Sequence, residues 1–543
     1  MGHEEHHHEE EKPLSLFASP LHKRGNTPNY SHVSPVPSSH GSDLEHQKTA
    51  DTNHAPFDNM DCSLHDNPAF HRHAEATTAE LFYDLFFVAN LTTFTSMLEI
   101  NDRNSLTAYI GFFSLLWLTW YQVSLYDVRF STDSIFERVA KAIHFGVMVG
   151  FAVIGPQWKP GQEQGDYHIY KAFGLILMVS RITLFLQYGV TLFYTKQYKK
   201  TIIPLGAIMA STLVAAILYG ALTPTFPATK YDPVKLDPMS LPAEILQKSD
   251  AYIAWYVIGI TETLVTVGVS CIWRIISFKG THMVQRMSLL TLIILGEGII
   301  VICKSISKII KNDYQWSSAI IGQIVASILI IYFLYMIYFD RIEEEHFGTI
   351  KQQWWSFLHF PLHTTLVLVL QGVSLLVIWL QAVNSYDNMA LDIMDVVSFN
   401  YSTGVQFAHD FNYTVYNHVY GYIPYGVDVS KEVKANEETM LNLVDLYDIW
   451  YADDGSNQTY SIEVTNNINA DIDEAFYLAT KSLFSSLSVN TPKKKSSSVG
   501  KESKGLDPAV LAGDYVKVFE LVFQYVFIAV SASNFPSYPR ILY

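Results

Sequence analysis

The sequence predicts an all-α protein, a polytopic transmembrane helix bundle of about ten spans, ten or eleven. Three observations carry that reading. Of the 543 residues, 49% are hydrophobic and only 16% charged. The apolar residues are gathered into blocks, and a block of about 20 residues is what a helix needs to cross a hydrocarbon core roughly 30 Å thick. One long polar interval, 382–475, carries glycosylation sequons, as a segment outside the membrane would. The formal charge of −16 says little about partners, because much of the acid lies in the opening HEEHHHEEE, at 343–345 and between 386 and 474. Cys62, Cys271 and Cys303 are scattered and suggest neither a disulfide framework nor a zinc site.

Taken in order, residues 1–77 are rich in His, Pro, Ser, Asn and Asp and read as a disordered cytosolic tail, too poor in apolar side chains to offset the entropy of ordering. His3, Glu4 and His7 match the H-E-x-x-H pattern, but that pattern binds zinc only on a stable helix, which a frayed acidic terminus does not supply. No basic segment followed by an apolar core opens the chain, so the first span is expected to direct membrane targeting. Residues 78–381 hold nine spans. The first begins at Glu80, and the others are 106–126, 139–154, 170–194, 202–222, 252–275, 287–301, 317–339 and 357–380. Residues 382–475 form an exterior hydrophilic loop, N-glycosylated if the sequons at Asn400, Asn412 and Asn457 are used. The sequon at Asn90 falls inside a span and is expected to be unused. Residues 476–543 contain a tenth span, 516–532, after a basic flexible linker, 491–507. The segment 476–489, with Lys481, is either an eleventh span or an interfacial helix.

Basic residues orient the bundle. With a cytosolic N-terminus, Arg129, Arg138, Lys196, Lys199, Lys200, Arg274, Lys279, Arg286, Arg341 and Lys351 fall on cytosolic loops, in line with the positive-inside bias. Lys304, Lys308 and Lys311 run against it. The membrane is expected to be the plasma membrane or another in the secretory pathway.

The informative residues are the ionisable ones within the apolar blocks, which are rare in membrane helices and usually face a partner or water. Glu80 and Asp84, four residues apart, share a helix face. Arg286 and Glu297, eleven apart, lie on nearly one stripe with His282 and Ile293, but about 16 Å of helix separates them, so each must find partners on other spans. Arg286 sits at a span's end and reads either as a headgroup anchor or as an ion-pair partner. The partner of Glu297 is expected in Arg181 or Asp84. Four charges lie deep, Asp84, Arg181, Glu262 and Glu297. One arginine cannot neutralise three acids, so the remainder must hold a proton, a cation or water. Gly296 either permits close helix approach, the favoured reading, or frees the backbone for a ligand. His359 and His363, four apart around Pro361, could bind a metal or relay protons, or simply pack. Trp117, Trp120, Tyr121, Trp354 and Trp355 are expected to form an interfacial aromatic belt.

Two of these stretches, E-L-F-Y-D-L-F-F-V from Glu80 and H-M-V-Q-R-M-S-L-L-T-L-I-I-L-G-E from His282, resemble the low temperature requirement A (LtrA) family of multi-pass membrane proteins. The resemblance covers about 80–380 and implies Glu80, Asp84, His282, Arg286, Gly296 and Glu297 as signature positions. Gln285 stands where the family commonly has Glu, so an ion pair there is lost. The tail and the long polar loop resemble fungal elaborations of a bacterial-type core. The family implies a fold and positions, but no reaction.

The functional expectation is transport or permeation of a small solute or cation, with protons as candidate coupling ions through Asp84, Glu262 and Glu297 and with Arg181 or Arg286 as the counter-charge. The alternative is a non-transporting membrane sensor or scaffold in stress or low-temperature adaptation. No nucleophile elbow or phosphate loop suggests an enzyme, and no basic aromatic surface suggests nucleic acid. No cofactor or metal is expected. The expected partners are the lipid bilayer and the solute.

Overall fold

The structure, a computed structural model, describes residues 14–21, 70, 75–98, 100–230, 245–277, 281–310, 318–340, 349–422, 428–452, 458–487, 489–490 and 508–533. Among them are thirteen α-helices and no sheet. They are α1 (Thr78–Met97), α2 (Arg103–Phe130), α3 (Ile135–Ile154), α4 (His168–Thr195), α5 (Lys199–Leu222), α6 (Ile253–Ile272), α7 (Met283–Ile310), α8 (Ser318–Phe339), α9 (Thr349–Ser398), α10 (Gly404–His418), α11 (Ser430–Ala452), α12 (Gln458–Ser486) and α13 (Pro508–Ser533).

Helix starts are set by local chemistry. Thr77 caps α1 in a reciprocal box: its hydroxyl accepts from the Glu80 amide, and the Glu80 carboxylate accepts from the Thr77 amide at 2.8 Å. Asp102 caps α2 through Ser105, and Ser134 caps α3 through the amide of Glu137.

Eight helices, α3 to α9 and α13, are long and apolar enough to cross a membrane by length and composition. The sequence also predicts spans over α1 and α2, and both pack in the same apolar core. Their lower hydropathy has a physical reason. Every residue of α2 from Gly111 to Phe130 is buried, so this helix lies at the centre of the bundle and faces protein rather than lipid. Polar residues there need protein partners, not an apolar surround. α8 is the opposite case, with Ile320 and Ser327 alone buried among its described side chains and about half of its apolar residues exposed, as on a lipid-facing helix.

Four expectations are corrected. The described residues of the interval 382–475 are mostly helical rather than a loop: α9 continues unbroken to Ser398, and at about 1.5 Å per residue its 50 residues span roughly 75 Å, far more than a bilayer core. Its outer half joins α10, α11 and α12 around a second core that includes Phe407, Phe411, Leu443 and Ala479. Residues 476–486 of the segment 476–489 are the end of α12. Lys481 pairs with Glu432 of α11 at 2.8 Å, and α12 is not among the helices apolar enough to span. The basic linker lies outside the described residues, as do His3, Glu4 and His7. The N-terminal tail also makes contacts at 14–21, where the Ser15 and Leu16 carbonyls accept from the amides of Ile135 and Phe136 at 3.1 Å each and Phe17 packs on Phe136. Finally, Trp117, Trp120 and Tyr121 are fully buried in the centre rather than belted at an interface, because they belong to α2; Trp354 is exposed.

Candidate functional site

The two motifs from the sequence meet. α1 and α7 begin at the same end of the bundle, where α2 ends and α3 begins, and there Glu80, Asp84, Asp127, Lys141, His282 and Arg286 form one buried cluster. Arg286 is fully buried at its centre. Its guanidinium donates to Asp84 Oδ1 at 2.8 Å and lies 3.6 Å from Glu80 Oε1 and 3.5 Å from Asp127 Oδ2. The guanidinium also stacks over the Trp120 ring at 5.4 Å, and Trp120 Nε1 donates to the same Asp84 oxygen at 2.7 Å. His282 Nε2 contacts Glu80 Oε2 at 3.0 Å, and Lys141 pairs with Asp127. The headgroup-anchor reading of Arg286 is therefore overturned: a long side chain at a span's end is drawn inward by three carboxylates. Gln285 Oε1 accepts from the Ala76 amide at 3.0 Å, which shows the use made of a neutral side chain where the family commonly has an acid.

The i, i+4 spacing of Glu80 and Asp84, and of His282 and Arg286, is what lets two helices present four interlocking groups. Sequence reading missed Asp127 and Lys141. A usable signal existed in α3, where Glu137, Lys141 and His144 make a polar stripe at helical spacing in an otherwise apolar segment. Glu137 accepts from Tyr126 at 2.7 Å and from Gln187 at 2.8 Å, and His144 Nε2 contacts Gln187 Oε1 at 3.0 Å. Tyr83, fully buried, lies within electrostatic reach of Asp127, Arg286, Arg181 and Asp84, and its hydroxyl has no hydrogen-bond partner among the described residues.

Deeper in the bundle the remaining candidates separate into three groups. Arg181 Nε donates to Glu262 at 2.9 Å and its Nη1 to Thr119 at 3.1 Å, a pair buried on both sides. Glu297 is therefore paired with neither Arg181 nor Asp84. Its Oε2 accepts from Thr92 Oγ1 at 2.5 Å, no cationic group lies within 4 Å among the described residues, and Oε1 has no hydrogen-bond partner there. The partner was missed because Thr92 is a neutral residue in an ordinary apolar run. His363 and His359 form the third group. Trp117 Nε1 donates to His363 Nδ1 at 3.0 Å, leaving Nε2–H to meet Thr291 Oγ1 at 2.8 Å, since that hydroxyl itself donates to the Met287 carbonyl. His359 Nδ1 meets the Trp355 carbonyl at 2.9 Å and Nε2 the Tyr338 hydroxyl at 2.8 Å. With both nitrogens of each ring engaged, these histidines orient α2, α7, α8 and α9 against one another and leave no lone pair for a metal.

Gly296 is not a packing glycine, because a Cβ there would meet nothing within 4 Å; Gly298, two residues on, faces the Leu370 side chain at 2.6 Å from such a Cβ.

The sequence profile of the family described as bacterial low temperature requirement A protein (LtrA) matches residues 75–405. The chain belongs to the LtrA family. The match runs beyond the motifs into the outer half of α9 and the first residues of α10, so the LtrA portion includes part of the second helical core. Neither a curated protein nor a solved structure matches the chain.

Proposed function

We propose that this LtrA-family protein moves a small solute or cation across its membrane and that protons couple through the cluster around Arg286. The observation that carries the reading is a buried cluster of mixed charge that also holds an imidazole. Three carboxylates, Glu80, Asp84 and Asp127, share the cations Arg286 and Lys141, the His282 imidazole lies on Glu80, and buried Glu137 stands one turn before Lys141 on α3, so acidic and basic groups are within reach of one another away from lipid. Asp84 belongs to this cluster, Glu297 stands apart with no cation within 4 Å among the described residues and Lys304 as a more distant charge on the same helix, and Glu262 leaves the coupling set because Arg181 neutralises it.

A cytosolic N-terminus puts the cluster at the inner ends of the helices and the α9–α12 core outside, in the plasma membrane or another membrane of the secretory pathway. Asn400 and Asn412, both exposed, suit N-glycosylation there. Asn457 lies outside the described residues. The Asn90 amide nitrogen is buried and donates to the carbonyls of Phe86 and Met148, so it is unsuited to carry a glycan. The second reading, a sensor or scaffold without transport, draws support from the buried Arg181–Glu262 pair, which is placed as a packing lock would be.

The test is reconstitution of the full chain in vesicles, with proton and cation flux measured under imposed pH and salt gradients. Flux in the wild type, reduced in Glu297→Gln, is the expected result. No flux under any gradient would rule out transport and leave the scaffold reading.

A further inference from the structure

Resting on the transport reading, we infer that Glu297 anchors a binding site for one dehydrated monovalent cation, with sodium as the ion tested, between α1, α2, α7 and α9. A cavity of about 10 Å³, the room that roughly one water needs, is lined by Thr95, Tyr109, Glu297 and Gln371 among apolar side chains. Glu297 and Gln371, which both line this cavity, are more than nine-tenths buried, and one oxygen of each, Glu297 Oε1 and Gln371 Oε1, has no hydrogen-bond partner among the described residues. Both atoms are acceptors when Glu297 is ionised, so neither can satisfy the other, and leaving two buried acceptors unpaired is costly. Thr95 Oγ1 and Tyr109 Oη lie 3.2 Å apart at the same wall and add two hydroxyl oxygens. The Tyr525 hydroxyl of α13, also without a partner among the described residues, lies 3.4 Å from where a Cβ on Gly372 would stand, next to Gln371.

The donor set is oxygen alone, from a carboxylate, an amide and two hydroxyls, which suits a hard cation rather than zinc or copper. Its charge is one. A divalent ion would leave an uncompensated charge in a low-dielectric interior, whereas a monovalent ion and one carboxylate cancel. Thr92 fixes the carboxylate by donating to Oε2, which leaves Oε1 directed to the ion. Four helices each supply a ligand or a ligand's support, and three of them, α1, α2 and α7, also hold the cluster around Arg286. The ion and the His282 imidazole would therefore lie about 22 Å apart, fifteen residues at about 1.5 Å each, on one set of helices.

The test uses the purified full chain in detergent, with thermal unfolding followed in sodium chloride, potassium chloride or choline chloride at equal ionic strength. Sodium should raise the unfolding midpoint by a few degrees over choline, saturably, through preferential binding to the folded state. Glu297→Gln should abolish the sodium response, and Tyr109→Phe should shift its half-saturation upward by several-fold while keeping the choline midpoint near that of the wild type, which guards against a variant that merely misfolds. Equal midpoints in sodium and choline, or a sodium response that survives Glu297→Gln, would overturn the site. A midpoint that follows pH but not sodium would overturn it too, assigning a proton and a water to Glu297 instead. Vesicle flux separates the two ideas: sodium binding without flux keeps this site and removes transport, whereas proton-driven flux with no sodium response keeps transport and removes this site.

Discussion

Replacing Arg286 by Gln is the most informative single perturbation of the fold. The guanidinium is fully buried, at hydrogen-bond distance from Asp84 and within 3.6 Å of both Glu80 and Asp127, with the Trp120 ring beneath it. Glutamine keeps some of the volume and one donor but removes the charge that three carboxylates share. Removing one partner of a buried ion pair typically costs about 3–5 kcal/mol, because the other charge is left uncompensated, and here more than one is left. Equilibrium unfolding in mixed detergent micelles should therefore show Arg286→Gln destabilised by about 4 kcal/mol. Asp84→Asn in the same chain should recover about 1–3 kcal/mol of that loss, as groups in direct contact couple by such amounts. A loss below about 1 kcal/mol, with no recovery by Asp84→Asn, would refute the buried cluster and return Arg286 to the role of a headgroup anchor.

Other expectations follow from the same geometry. Arg181→Met and Glu262→Leu should each destabilise by about 3 kcal/mol, while the double substitution should stand within about 1 kcal/mol of the wild type, since a buried pair replaced by apolar residues is often neutral; the same unfolding assay reads all three. Gly372→Ala would drive a Cβ to within 2.0 Å of the Val526 side chain and should cost about 1–3 kcal/mol, whereas Gly296→Ala meets open space and should be neutral or stabilising by up to about 1 kcal/mol. In the outer core, the Lys481 ammonium bonded to Glu432 holds that carboxyl below its ordinary value of 4.5. A depressed folded-state value gives stability that is present above pH 4.5 and lost as pH falls through the lowered value. Because the lysine is about half exposed, Lys481→Met should cost no more than about 1 kcal/mol at pH 7, and the difference from wild type should shrink steadily in thermal melts taken below pH 4.5.

Much of the bundle is legible in the sequence because lipid imposes a coarse rule, and apolar runs of span length report it. The rule reads composition, so it marks α8 strongly and α2 weakly, although α2 is the central helix. It also misses the outer domain, since a helix packed outside the membrane needs only a narrow apolar stripe, and a stripe such as Phe407, Phe411 and Val415 does not stand out in a polar interval. At the site, spacing within one helix is readable, which is why Glu80 with Asp84 and His282 with Arg286 emerge as faces. Which helix meets which is not readable from spacing. The pairing of Arg181 with Glu262, the recruitment of Asp127 and Lys141, and the Thr92 partner of Glu297 all depend on helix order in space.

The most direct test of the account is the proton dependence of flux in vesicles holding wild-type protein or His282→Gln, with folding matched by unfolding midpoint. The account predicts that an imposed pH gradient drives flux in the wild type, and that in His282→Gln the residual flux no longer responds to the gradient, because the cluster has lost its imidazole. Wild-type flux that ignores the pH gradient, or a His282→Gln protein coupled as tightly as the wild type, would contradict it.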